Sequence, residues 1–194
     1  MVSFGKDERQ ETRFHMSKKV LILSGSPRKG GNSDLLCDEF ARGAKGAGNE
    51  VEKMFVRSQK VAPCNACYFC RDHEGACAIK DDMAGILDKM QAADVVVMAS
   101  PVYFYSVDAQ LKAVIDRSLA RWTNIPNKEF YYIMTAAEDS ADVMDCTLEC
   151  MRGFARCLQG SKEMGVIEAK GVYGPGEVCD TRFMEEAYKM GAAV

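Results

Sequence analysis

The sequence predicts an α/β domain: a doubly wound, five-stranded parallel sheet of order 2-1-3-4-5, covered by helices on both faces in three layers. Three observations predict it. Short, continuously apolar runs such as Val20-Leu21-Ile22-Leu23 and Val95-Val96-Val97-Met98-Ala99 read as strands buried on both faces. Between such runs lie segments whose apolar residues recur at the spacing of one helix face. The chain, at 194 residues, is long enough for one well-packed domain and short for two.

In chain order, residues 20–23 form a first strand that enters the tight turn Ser24-Gly25-Ser26-Pro27. Asn32 or Ser33 can cap a helix carrying Leu36, Phe40, Ala44 and Ala47 on one face, and Gly46 and Gly48 end it. Residues 51–56 read as a second strand. Residues 57–80 are irregular and rich in cysteine. Asp81-Asp82 caps the next helix, where Met83, Ile86, Leu87 and Met90 fall on one face. Residues 94–99 are a third strand, stopped by Ser100-Pro101. Leu111, Val114, Ile115 and Leu119 mark another helix, residues 130–134 a fourth strand, and Met144, Leu148, Met151, Ala155 and Leu158 a longer helix. Val166-Ile167 and Val172-Tyr173 suggest the fifth strand, and Thr181 caps a last helix through Met190. This alternation is the flavodoxin-like arrangement, whose ligands bind at the carboxyl ends of the strands near the switch between strands 1 and 3. Residues 18–194 are expected to form that single domain, with the cysteine-rich loop at 57–80. Residues 1–17 are expected to be a flexible tail tied down by Phe14, and Met16 is an alternative start.

Composition narrows the function classes. Hydrophobic residues make up 47% and charged residues 27%, which excludes a disordered or collagen-like chain. Lys plus Arg total 25 against 28 Asp plus Glu, a formal net charge of −3. Such a mildly acidic chain is a poor nucleic-acid binder by electrostatics, because phosphate contacts need a basic face, and no apolar run is long enough to span a bilayer. Scattered charges in residues 1–19 exclude a secretory signal there. Nine cysteines, an odd number, cannot all pair, so a reducing cytoplasm and metal or redox roles are expected.

Two loops carry ligand-binding chemistry. Ser24-Gly25-Ser26-Pro27-Arg28-Lys29-Gly30-Gly31-Asn32-Ser33 joins a buried strand to a helix N-terminus, where free N–H groups and the helix dipole favour a phosphate. Ser24, Ser26, Ser33 and Asn32 offer hydrogen bonds, and Arg28 a counter-charge. The triphosphate loop is excluded because Gly30 is followed by Gly31-Asn32, and the dinucleotide fingerprint because Gly25-Ser26-Pro27 breaks it. A monophosphate such as that of FMN remains, beside the plainer reading of a solvated, well-capped turn. After the third strand comes Ser100-Pro101-Val102-Tyr103-Phe104-Tyr105-Ser106. Its adjacent aromatics expose apolar area that a flavin ring or a subunit partner would cover. Trp122 either joins such an interface or is a buried helix-end anchor.

Cys64, Cys67, Cys70 and Cys77 follow the pattern C-x2-C-x2-C-x6-C. That spacing suits a [4Fe–4S] cluster; zinc, with His73 replacing one sulfur, a Cys64–Cys67 redox pair and unmetallated thiols are the alternatives. Cys146, Cys150 and Cys157 share a helix face and read as core packing, as do Cys37 and Cys179.

The strings VLILSGSPRKGGNSDLL, PCNACYFC with Cys77-Ala78-Ile79-Lys80-Asp81-Asp82-Met83, and SPVYFYSVDAQLKAVIDR resemble the NADPH-dependent FMN reductase and iron–sulfur flavoprotein family, and the ending GVYGPGEVCDTRFMEEAYKMG is similar to that family's too. The resemblance spans residues 18–192. It implies FMN at a dimer interface, with Ser24, Ser26, Arg28, Asn32 and Ser33 holding the phosphate. It sets Pro101, Val102, Tyr103 and Phe104 along the isoalloxazine, and Thr135 near the ring or ribityl chain. It implies hydride transfer from NAD(P)H to FMN and onward delivery to a small acceptor such as a quinone or free flavin, with no protein acid or base. It also implies the alternative of an electron carrier, in which Cys64, Cys67, Cys70 and Cys77 bind a [4Fe–4S] cluster and ferredoxin is a partner, assembled as a dimer or dimer of dimers. A thiol sensor or zinc-stabilised interaction module is the non-enzymatic alternative.

Overall fold

A computed structural model describes residues 16–194, so the expected tail, with Phe14, lies outside the described residues as far as residue 15. The elements are β1 (Lys19–Ser24), α1 (Asn32–Gly46), β2 (Glu50–Phe55), the single turn α2 (Phe69–Asp72), α3 (Met83–Ala92), β3 (Val95–Pro101), α4 (Ala109–Arg117), β4 (Glu129–Thr135), α5 (Asp145–Cys157), β5 (Lys162–Ala169) and α6 (Arg182–Ala192). All neighbouring strands pair in parallel, in the order β2-β1-β3-β4-β5. This is the expected flavodoxin-like sheet.

Successive strand side chains point to opposite faces, and both faces are covered. Leu21, Leu23, Val96, Met98, Phe130 and Tyr132 face a core shared with α3, α4 and α5. Val20, Ile22, Val95, Val97, Tyr131 and Ile133 face a second core shared with α1 and α6. That double burial is why the strands are continuously apolar. On the second face α1 and α6 approach to backbone contact. A side chain at Gly43 would strike the Tyr188 carbonyl, and one at Gly191 the Phe40 carbonyl.

Some boundaries differ from expectation. β5 ends at Ala169, and Val172-Tyr173 belong to the following loop, where Val172 N–H donates to Ala136 O at 2.9 Å instead of extending the ladder. Helix α1 is capped at Gly31, with Asn32 and Ser33 already inside it. Helix α4 stops at Arg117, leaving Leu119 exposed. Cys146 and Cys157 are exposed and Cys150 half-buried, because the α5 stripe through Leu148, Met151 and Ala155 takes the core side. Cys37 is buried as expected, and Cys179 is exposed. Thr181 does cap α6, accepting from Phe183 N–H at 3.3 Å.

Gly191→Ala is expected to force α6 off α1 and lower stability by about 1–3 kcal/mol, the usual range for overpacking. Urea unfolding reads this directly, and an unchanged midpoint would mean that the two helices do not pack this closely.

Candidate functional site

The loops after β1, β3, β4 and β5 meet around a cleft of about 150 Å³. The β1 loop is built on one carboxylate. Asp34, in the first turn of α1, is buried at 3% exposure and accepts from Gly30 N–H at 2.9 Å and from Ser24 Oγ at 2.8 Å. Lys53 Nζ on β2 completes the set at 2.9 Å. Burial opposes ionisation of Asp34, but these donors outweigh it and hold the carboxyl below its ordinary range. Above this base, Ser26 Oγ accepts from Arg28 N–H at 3.1 Å and donates to Arg28 O at 3.0 Å. Gly25 N–H donates to Ala99 O at 2.8 Å, and a side chain at Gly25 would collide with the Asp108 carboxylate. Among the described residues, no group accepts from the backbone amides of Asn32 and Ser33. Free amides at the positive end of α1, with Arg28 on the same cleft, make that end chemically suited to an anion.

The β3 loop forms the facing wall. Val102 N–H donates to Thr135 O at 2.8 Å, which ties it to the end of β4. Tyr103 and Ser106 exchange backbone bonds at 3.0 Å around a turn whose central residues, Phe104 and Tyr105, have φ of 48° and 59°. Positive φ at both centres is the hairpin geometry that glycine and asparagine usually fill, so this turn is held against a local cost. Tyr105 Oη donates to Glu138 at 3.1 Å, which keeps the phenol protonated above its ordinary value. Beneath the loop, Ser100 Oγ donates to Asp108 at 2.8 Å, and Asp108 caps α4 by accepting from Leu111 N–H at 2.9 Å. Burial raises the Asp108 carboxyl despite those bonds.

Of the expected ligands, Ser26, Arg28, Asn32, Pro101, Val102, Tyr103 and Thr135 line the cleft. Ser24 faces Asp34 beneath the loop. Ser33 is buried and does not line the cleft, and Phe104 projects fully into solvent at 101% exposure. The cleft also contains Gly31, Ala137, Val172, Tyr173 and Pro175. Val172 and Tyr173, expected in the fifth strand for their β-rich character, instead line the cleft beyond its end at Ala169. Asp108 was missed although it stands just before an apolar-periodic helix, the position of a cap.

The cysteine loop is clamped at its base. Arg117, with its side chain 1% exposed, forks onto Asp81 at 2.7 and 2.9 Å and donates to Ala62 O at 2.8 Å and Cys77 Sγ at 3.4 Å. Cys64 and Cys67 lie out on exposed backbone, separated by Ala66 at φ 52°. Among the described residues no three His, Cys, Asp or Glu side chains converge as a ligand group. The four thiols expected to form a metal site are thus not brought together as folded here: Cys77 is fixed to the body while the others follow the outer loop. Trp122 is 42% exposed and lines a second hollow with Tyr68 and Cys70, so it is no buried anchor. No helix among the described residues is long and apolar enough to cross a membrane.

Residues 18–144 match the family model described as NADPH-dependent FMN reductase. An iron–sulfur flavoprotein of Methanosarcina thermophila is 46% identical over 101 residues, 52% of this chain and 52% of that protein. The chain matches about half the length of its curated relatives. The solved NAD(P)H:quinone oxidoreductase from Methanothermobacter marburgensis has the same fold, with a TM-score of 0.76 at 16% identity over 91% of this chain and 96% of that one. An FMN-dependent NADH-azoreductase from Bacillus anthracis, solved in complex with FMN, gives a TM-score of 0.71 at 16% identity over 90% of this chain and 98% of that one.

Asp34→Asn is expected to cost about 3 kcal/mol at neutral pH, as breaking a buried ion pair does. Because the Asp34 carboxyl sits below its ordinary value of 3.8, its contribution is complete above that pH and lost as pH falls through the lower folded-state value. Urea unfolding of both proteins across pH should show the gap closing only in acid. A gap of constant size would show that the charge is not what holds the loop.

Proposed function

The chain belongs to the NADPH-dependent FMN reductase family, and on that premise we propose that it is an FMN-dependent NAD(P)H oxidoreductase delivering electrons to a small acceptor such as a quinone or a flavin. One observation carries this reading: an anion site at the α1 N-terminus, with Arg28 beside it, shares one cleft with the apolar Pro101-Val102-Tyr103 wall. A flat ring bearing a phosphate tail needs both. The donor set fits FMN. The free amide of Asn32, with Ser26 and Arg28, would take the phosphate, while Val102, Tyr103 and Thr135 would flank the ring. When bound, FMN would supply the hydride acceptance and electron delivery. The chain's own work is to seat the ring, neutralise the phosphate and keep the cleft shaped. No side chain is assigned as acid or base. Tyr103, Phe104 and Tyr105 are 43%, 101% and 45% exposed, which supports a second copy of the chain covering this rim in a homodimer.

Anaerobic addition of NADPH to the FMN-loaded protein should bleach the flavin bands, and a quinone should restore them. Failure of both NADH and NADPH to bleach bound FMN would sink the oxidoreductase reading. Arg28→Ala is expected to weaken FMN binding about tenfold, as loss of one exposed charge-assisted hydrogen bond does, measured by flavin fluorescence titration.

A second reading, an electron carrier with FMN and a [4Fe–4S] cluster working with ferredoxin, is supported by the Cys64, Cys67, Cys70 and Cys77 spacing and by the relative named an iron–sulfur flavoprotein. Among the described residues these thiols do not converge as a ligand set. Protein prepared without oxygen should contain iron and sulfide in stoichiometric amounts if this reading holds, and Cys70→Ser should abolish both. Iron-free anaerobic protein rules it out.

A further inference from the structure

Asn32 is the first residue of α1, 8% exposed, and the sequence assigns its amide to a bound phosphate. Its side chain is engaged elsewhere. Nδ2 donates to Gly174 O at 3.0 Å, and Oδ1 accepts from Gly176 N–H at 3.1 Å and Val178 N–H at 3.3 Å. These bonds bring the segment after β5 across the N-terminus of α1. That segment is itself tightly built. Val172 N–H is held by Ala136 O at 2.9 Å, Tyr173 N–H by Glu177 Oε2 at 2.6 Å, and Glu177 N–H by Gly174 O at 3.3 Å. It is thus hung from the end of β4 on one side and from α1 on the other. Tyr173 stands on it, 75% exposed, and lines the cleft beside Pro175, Ser26 and Arg28.

We propose that residues 172–178 are the outer wall of the phosphate end of the cofactor cleft, that Asn32 is the positioning residue that holds them there, and that Tyr173 makes the site selective for flavin mononucleotide over flavin adenine dinucleotide. The inference rests on the FMN reading above and adds the specificity of that site. A phosphate drawn to the free amides of α1 ends beside Asn32. A monophosphate stops there. An adenylate attached to it would have to continue outward past the cleft's rim, where Tyr173 and Pro175 line it beside Ser26, Arg28 and Asn32. Ring contacts alone cannot separate the two flavins, because their rings are identical. Discrimination has to arise where the molecules differ, by obstruction of the larger one.

The test titrates flavin-free protein with FMN and with FAD, reading flavin fluorescence, for the wild type, Tyr173→Ala and Asn32→Ala. Amide hydrogen exchange at Gly176 and Val178 is measured on the same flavin-free samples. The wild type should prefer FMN by about a hundredfold, and Tyr173→Ala should narrow the ratio by about tenfold, chiefly through tighter FAD binding. Asn32→Ala should speed exchange at Gly176 and Val178 by about tenfold or more and narrow the ratio likewise. A wild type that binds FMN with a ratio unmoved by Tyr173→Ala overturns the selectivity alone. Weaker FMN binding in Asn32→Ala with exchange unchanged would make Asn32 a direct phosphate ligand and overturn its positioning role. A wild type that binds neither flavin overturns the FMN reading and the selectivity together, while exchange in Asn32→Ala still reports whether the tether exists.

Discussion

The buried carboxylate of Asp34 is the contact on which the ligand-binding end of the molecule depends. It gathers a hydroxyl from the end of β1, an amide from the loop and an ammonium from β2. A charge this deep is tolerable only when its oxygens are satisfied, so the satisfied state selects one loop conformation. In that conformation Gly30 and Gly31 deliver the chain into α1 with its first amides free. The anion site is therefore a by-product of a folding constraint: the carboxylate below the loop is what leaves the donors above it available.

The second constraint is steric. Gly43 and Gly191 let α1 and α6 touch backbone to backbone. Because α6 begins soon after residues 172–178, fixing α6 against α1 also fixes that segment near the start of α1, where Asn32 takes hold of it. The β3 loop is fixed from a different direction, by Ser100, Asp108 and the Thr135 carbonyl. The cleft is thus assembled from four strand ends, each immobilised by a buried polar contact or close helix packing.

The cysteine loop shows the same economy at its base and none at its tip. Arg117 and Asp81 join α4 to the segment leading into α3. Asp81 also accepts from Ala62 N–H at 2.9 Å and Met83 N–H at 3.2 Å. Both ends of the loop therefore close on one ion pair, which carries Cys77 with it. Such a pair contributes more to specifying one arrangement than to net stability. Outside the clamp, left-handed backbone at Ala66, Tyr68 and Glu74 costs of order 1–3 kcal/mol each. Few packing contacts offset that cost, since Cys64, Cys67 and Tyr68 are exposed.

By itself the sequence determined the sheet and its order, because buried parallel strands leave continuous apolar runs and the intervening helices leave a one-sided period. It also singled out the loops at 24–33 and 100–106, which line one cleft in the fold, since glycine, serine and adjacent aromatics are local signals. What it could not determine was the direction of side chains whose partners lie far along the chain. Asn32 reaches across to residues 174–178, and Tyr173 sits beyond the end of β5 to line the cleft. Each of those placements exists only once the start of α1 and the loop before α6 have been brought together. Only the tertiary structure decided them, because a hydrogen bond between residues 142 to 146 positions apart leaves no periodicity in the sequence to read.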